Sequence, residues 1–186
     1  ATPAIAGIER ASVITGALLR QIMAGELQPN EAWRLPGWQR VLVQKCMPLA
    51  QWMMTPGLLR RASRCWMPVG RAVVIIGSDL VAIELAEFLA ERGRKVHVVD
   101  AAKKIIPEVG KKRRHEHMDA LDHLRITVNT AVSIQRIEAA AVIIAVRGRE
   151  HAIPCDSVIV TGEVIADTAF ADALQAAGLP VQSIGD

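Results

Sequence analysis

The stretch Arg71-Ala-Val-Val-Ile-Ile-Gly77-Ser78-Asp79-Leu80-Val81-Ala82 decides the fold. From Ala72 to Ile76 every side chain is aliphatic, with no polar alternation. That pattern suits a strand covered on both faces, as in a parallel sheet. From Asp79 to Arg92 the pattern changes period: Leu80, Val81, Ile83, Leu85, Ala86, Phe88 and Leu89 recur at helical spacing, with Glu84, Glu87 and Glu91 directed outward. Gly93 stands where a helix C-cap belongs. A buried strand therefore turns into an amphipathic helix at Gly77.

Working outward, Lys95-Val-His-Val-Val-Asp100 predicts a second strand, residues 108–124 a weaker helix and Arg125-Ile-Thr-Val-Asn129 a third strand. Residues 131–138, 141–148 and 150–153 alternate with few breaks, which predicts an antiparallel meander as the next connection. Ser157-Val-Ile-Val-Thr-Gly162 returns as a buried strand, residues 167–178 read as a helix, and residues 181–186 as a strand. The fold class is α/β: a Rossmann-like parallel sheet with an antiparallel β-meander crossover. Residues 1–70 differ, because prolines and glycines punctuate short stretches. One short helix is expected from Thr15 to Ala24. All four tryptophans, Trp33, Trp38, Trp52 and Trp66, fall here, to pack within this segment or against another domain. The boundaries expected are 1–69 for an irregular connecting arm, 70–162 for the nucleotide-binding domain and 163–186 for a partial further domain.

A chain of 186 residues holds one full domain. Half of its residues are hydrophobic, few are aromatic and none is tyrosine, a composition suited to helices packed on a buried sheet. The net charge of +3 is too small to argue for nucleic acid. The run Lys111-Lys-Arg-Arg114 reads as a solvated helix face or a phosphate contact. Cys46, Cys65 and Cys155 are widely spaced. No redox dithiol, disulfide framework, iron–sulfur cluster or zinc site is therefore expected among them, and a reducing cytoplasm fits. His115, His117, Asp119 and His123 do not share one helix face as metal ligands should. Gln44, Lys45, Gln51 and two prolines interrupt the apolar residues 41–59, so no membrane span is expected.

A nucleotide diphosphate needs backbone N–H groups and the positive end of a helix, reached with no side chain in the way. Gly77-Ser78-Asp79-Leu80-Val81-Ala82 matches G-x-G-x-x-G/A at its first and last positions. Gly77 supplies the tight turn, and Ala82 allows close approach of helix to strand. Asp79 replaces the middle glycine. At about 5 Å from a phosphate charge its carboxylate would cost ~3 kcal/mol at an effective dielectric of 20, and under ~1 kcal/mol in a wet mouth. Asp79 is equally a favoured N-cap for the helix it opens. Asp100 ends the next strand about 23 positions after Gly77, near the spacing at which an acid accepts from an adenosine ribose. That favours NADH over NADPH, while Lys103 and Lys104 are either solvated loop residues or partners for a 2′-phosphate.

Ile76-Gly-Ser-Asp-Leu-Val-Ala-Ile-Glu-Leu-Ala-Glu-Phe-Leu-Ala-Glu-Arg-Gly93, within residues 70–100, resembles the C-terminal region of NADH:flavin oxidoreductases related to 2,4-dienoyl-CoA reductase and trimethylamine dehydrogenase, a pyridine nucleotide-disulfide oxidoreductase-like unit. Ala1-Thr-Pro-Ala-Ile-Ala-Gly-Ile8 is similar to the segment after that family's first FAD-domain portion. Val160-Thr161-Gly162 and Ile184-Gly185-Asp186 resemble the return to it. The resemblance implies an NAD domain inserted into a FAD-type domain, with Thr161, Gly162, Gly185 and Asp186 on the flavin side, Asp186 contacting the flavin nucleotide. It implies a piece of a longer parent in which the FAD glycine fingerprint, an old-yellow-enzyme barrel, FMN and iron–sulfur cysteines lie elsewhere, so the FAD site is incomplete and this piece alone is inactive. The partners implied are a dinucleotide cofactor and the barrel and FAD-type domains, with neither nucleic acid nor membrane. Two functions follow. In one, NAD(P)H binds at Gly77, Ser78, Asp79, Leu80, Ala82 and Asp100 and gives hydride to a flavin; no side chain of this chain need be catalytic. In the other, some relatives using such a site for ADP alone, the domain is a degenerate ADP-binding or structural scaffold.

Overall fold

In the computed structural model the described residues are 5–10, 12–16, 18, 67, 69–161, 169–179, 181 and 182. They form strands β1 (Val13–Thr15), β2 (Ala72–Ile76), β3 (Lys95–Val99), β4 (Thr127–Asn129), β5 (Ser133–Ile137), β6 (Ala141–Val146), β7 (Arg149–Pro154) and β8 (Ser157–Val160). The helices are α1 (Leu80–Ala90), α2 (Lys111–His123) and α3 (Ala169–Ala176). A five-stranded parallel sheet runs β1-β8-β2-β3-β4, and a separate antiparallel sheet runs β5-β6-β7. The α/β class and the meander between β4 and β8 are those the sequence predicts.

The uninterrupted apolar run of β2 is explained by its position. It pairs with β3 on one side and β8 on the other, and successive side chains enter different cores. Val73 and Ile75 face the helices, packing with Ile83, Ala86 and Leu89 of α1. Val74 and Ile76 face the meander, packing with Val142, Ile144 and Ile153. A strand with an apolar layer on both faces has no place for a polar residue, because an unpaired polar group there costs more than its packing returns. The start of β2 is held by Asp156, whose Oδ2 accepts from the N–H groups of Arg71 at 3.0 Å and Ala72 at 2.9 Å. Ser157 Oγ accepts from Gly70 N–H at 3.0 Å.

Two elements depart from expectation. Residues 1–70 contain a strand that the punctuated sequence does not announce: β1 lies at the sheet edge, paired in parallel with β8, and its Val13 and Ile14 are buried. Three residues are too few to show a period; only the open edge of β8 makes them a strand. Thr15 closes β1 and also opens the expected helix: its Oγ1 accepts from Leu18 N–H at 3.2 Å, as an N-cap does, and Gly16 and Leu18 are helical. Residues 17 and 19–24 of that expected helix, the four tryptophans and the interrupted apolar residues 41–59 lie outside the described residues. The helix expected from residue 108 begins at Lys111 after a loop over residues 101–110. Pro107 and Gly110 bracket the last part of that loop, and both disfavour continuation of a helix. Among the described residues no helix is long and apolar enough to cross a membrane.

Cys155 joins β7 to β8 and is buried in the meander-side core. Burial first, and then the Asp156 carboxylate beside it, push its thiol up to about 11. At pH 8 only about one in a thousand Cys155 side chains is thiolate, the reactive form. Iodoacetamide at pH 8 is therefore expected to leave Cys155 unlabelled in the folded chain and to label it in denaturant, read by peptide mass spectrometry; equal labelling in both would show that the core is not closed over it. Ile75 is fully buried in the central strand, so Ile75→Ala is expected to lower unfolding free energy by about 2–5 kcal/mol in a urea titration.

Candidate functional site

Sheet order places the ends of β2, β3 and β8 side by side, and the sequence puts a polar or glycine residue just past each. Beyond β2, Gly77 has φ +121, a conformation that side-chain-bearing residues rarely adopt. A Cβ there would collide with Thr161 Oγ1, so the turn needs glycine for space as well as for its dihedral. The turn is fixed to its neighbours: Gly77 N–H donates to Val99 C=O at 3.0 Å, and Thr161 donates to Ile76 C=O from both N, at 3.1 Å, and Oγ1, at 3.0 Å.

Ser78 is buried, 2 % exposed, and its Oγ donates to Asp100 Oδ2 at 2.6 Å. The other oxygen of Asp100, Oδ1, accepts from Ala102 N–H at 2.9 Å. Asp79, with φ −69 and ψ 173, is the N-cap of α1, and its Oδ1 accepts from Ala82 N–H at 2.8 Å. Of the two tasks open for Asp79, capping is one it performs. Ala82 is wholly buried against the sheet, leaving no depth for a larger side chain. Leu80 N–H, the first amide of the helix, donates to Glu108 Oε1 at 2.5 Å.

Gly77, Ser78, Asp79, Leu80, Ala82, Asp100 and Thr161 are thus gathered at one mouth. Gly162, Gly185 and Asp186 lie outside the described residues. Glu108 is the member the sequence does not announce, because residue 108 reads there as helix. The Pro107 and Gly110 breaks are the signal that places it in a loop, free to fold back over α1. The loop is itself pinned to the site. Ile106 is fully buried and donates its N–H to Ser78 C=O at 2.8 Å. Arg114 Nε and Nη2 donate to the carbonyls of Ile106 at 3.1 Å and Val109 at 3.0 Å. Arg114, in the basic run, serves the loop, and its neighbour Arg113 pairs with Glu84 of α1 at 3.2 Å.

Chemically, the mouth offers a helix N-terminus whose amides hold carboxylates, and a strand-end acid that already accepts a hydroxyl. Both are the partners that a phosphate and a ribose hydroxyl would take. The histidines of α2 are spent on helix contacts: His117 Nδ1 lies 2.7 Å from Glu87 Oε1 of α1, and His123 Nδ1 lies 2.8 Å from Asp119 C=O. Among the described residues no group of three metal-ligating side chains is placed to hold an ion.

The chain is similar to several known proteins. It is 31% identical over 120 residues to bilirubin reductase of Mediterraneibacter gnavus (strain CC55_001C), an alignment covering 64% of this chain and 19% of that protein. The chain therefore spans about a fifth of that relative's length. Among solved structures, 2-naphthoyl-CoA reductase in complex with 2-naphthoyl-CoA matches at a TM-score of 0.60 and 22% identity, covering 94% of this chain and 20% of that one. Reduced Bacillus anthracis CoADR-RHD matches at 0.53 and 18% identity, covering 98% and 26%. At these identities the structures establish a shared fold, that of flavoprotein reductases. The model of the pyridine nucleotide-disulphide oxidoreductase family matches residues 50–186, more than half of the sequence, and the chain belongs to that family.

Proposed function

We propose that the chain is the nucleotide-binding portion of a flavin-dependent oxidoreductase, related to NADH:flavin oxidoreductases of the 2,4-dienoyl-CoA reductase and trimethylamine dehydrogenase group. The observation that carries this reading is the carboxylate of Glu108 seated on Leu80 N–H: the chain's own anion occupies the position where a strand-turn-helix site takes a diphosphate. The amides around Gly77 to Ala82 would hold the diphosphate. Asp100 would turn an oxygen from Ser78 to an adenosine ribose hydroxyl. A bound NAD(P)H supplies hydride and a flavin accepts it; this chain's residues bind and orient, and none need exchange a proton. Asp100 favours NADH, since a carboxylate repels a 2′-phosphate. Residues 70–162 form the NAD(P)-binding domain on this reading, with residues 1–69 and 163–186 belonging to a FAD-type domain. Reduction of a small-molecule substrate, the activity named for bilirubin reductase, belongs to parts of the parent beyond this chain.

A second reading has its own support. Asp79 and Glu108 put two carboxylates on the first turn of α1, the arrangement of a domain that keeps the fold and takes ADP alone, or nothing. Titration calorimetry separates the readings. Binding of NADH distinctly tighter than ADP supports the redox role; equal affinities support the ADP module. Silence of both NADH and NADPH at millimolar concentration would contradict the first reading. Asp79→Gly keeps most of the cap stability, losing only a few tenths of a kcal/mol. It is expected to tighten NADH binding by between a few-fold and about a hundredfold, according to how wet the mouth is; unchanged affinity would show that the carboxylate lies away from the phosphates.

A further inference from the structure

We propose that Glu108 is an internal competitor for the diphosphate: its carboxylate holds the phosphate seat of α1 and must leave before a nucleotide docks, so that it sets the affinity and charge class of the ligand. The inference rests on the nucleotide-binding reading above. The anion and the ligand need the same atom, because Leu80 N–H is the first amide of the helix and Glu108 Oε1 takes it at 2.5 Å. Two anions cannot share it, since they repel in the same few ångströms and the amide has one proton.

The loop over residues 101–110 is built so that only the Glu108 side chain has to move. Its backbone is bolted beside Glu108 by Arg114, which donates to the carbonyls of Ile106, Pro107 and Val109 at 3.1, 3.3 and 3.0 Å. Ile106 is fully buried with φ +45 and donates to Ser78 C=O. A β-branched residue in the left-handed region is a costly conformation that persists only where its surroundings hold it. The same contact ties the loop to the turn that would cradle the ligand. Glu108 itself is exposed, and the bond to Leu80 is what holds its carboxylate over the helix. Rotation about its own side-chain bonds takes the charge into water without disturbing Ile106. Asp79 differs: as the N-cap it serves Ala82 N–H from within the turn and stays. A singly charged ligand gains little by replacing one carboxylate with another, whereas a diphosphate brings more charge and more acceptor oxygens. The swap therefore favours diphosphates over monoanions.

The test is calorimetric titration of ADP into the native chain, Glu108→Ala, Glu108→Gln and Glu84→Gln, with folding checked by circular dichroism. Glu108→Gln keeps an acceptor for Leu80 N–H and guards against a loss of fold in Glu108→Ala. Glu84→Gln removes the same charge from the flank of α1, where Glu84 faces Arg113. Removing the Glu108 charge is expected to tighten ADP by about fivefold or more, with Glu84→Gln within about twofold of native. Equal affinity in native and both Glu108 variants, or an equal gain in Glu84→Gln, overturns the competitor while leaving the nucleotide site standing. Binding of ADP by none of the four proteins overturns the nucleotide reading itself, and the proposal with it.

Discussion

The amides at the start of α1 have no partners within the helix, as at any helix N-terminus, and they point to the place where β2, β3 and β8 end together. Satisfying them constrains much of what surrounds the site. Asp79 takes Ala82 N–H and Glu108 takes Leu80 N–H. To bring Glu108 there the loop after β3 folds back, buries Ile106 under the turn and draws Arg114 of α2 onto its carbonyls. The helix pole is thus the point on which a loop, a second helix and the sheet end converge. A helix pole of this kind suits the phosphates of a dinucleotide, which is the ligand the proposed function gives it.

The layers behind the mouth give it rigidity. β2 has helices on one face and the three-stranded meander on the other, so its end cannot shift without disturbing two cores. α1 and α2 are joined across their outer faces by His117 to Glu87 and Arg113 to Glu84. The latter is exposed and adds little stability, whereas the histidine contact is partly buried. Rigid elements around a few movable side chains suit the proposed site: the turn is preset, and only Glu108 and the bonded pair of Ser78 and Asp100 need rearrange.

What the sequence made legible follows from how local each signal is. The apolar run 72–76 and the helical period after Asp79 are set by neighbours in the chain, and both elements form where those patterns place them. The meander was legible for the same reason, through its alternation. β1 was not, because three residues carry no period and become a strand only through the distant β8. Glu108 was hidden for a related reason: its partner Leu80 is far back in the chain, and no spacing rule links a loop acid to a preceding helix. The bond between Ser78 and Asp100 joins two residues that the motif did single out, but a motif assigns each residue a ligand and does not say that they will bond each other without one.

If the mouth at Gly77 to Ala82 takes the phosphates and ribose of a nucleotide, as proposed, amide NMR will register it residue by residue. On titration of ADP into the isotope-labelled chain, the largest shifts are expected on Gly77 to Ala82, with a second group at Asp100 to Ala102 where the ribose would lie. Shifts confined to other surfaces, such as the Lys111 to Arg114 run, or none at saturating ADP, would contradict it.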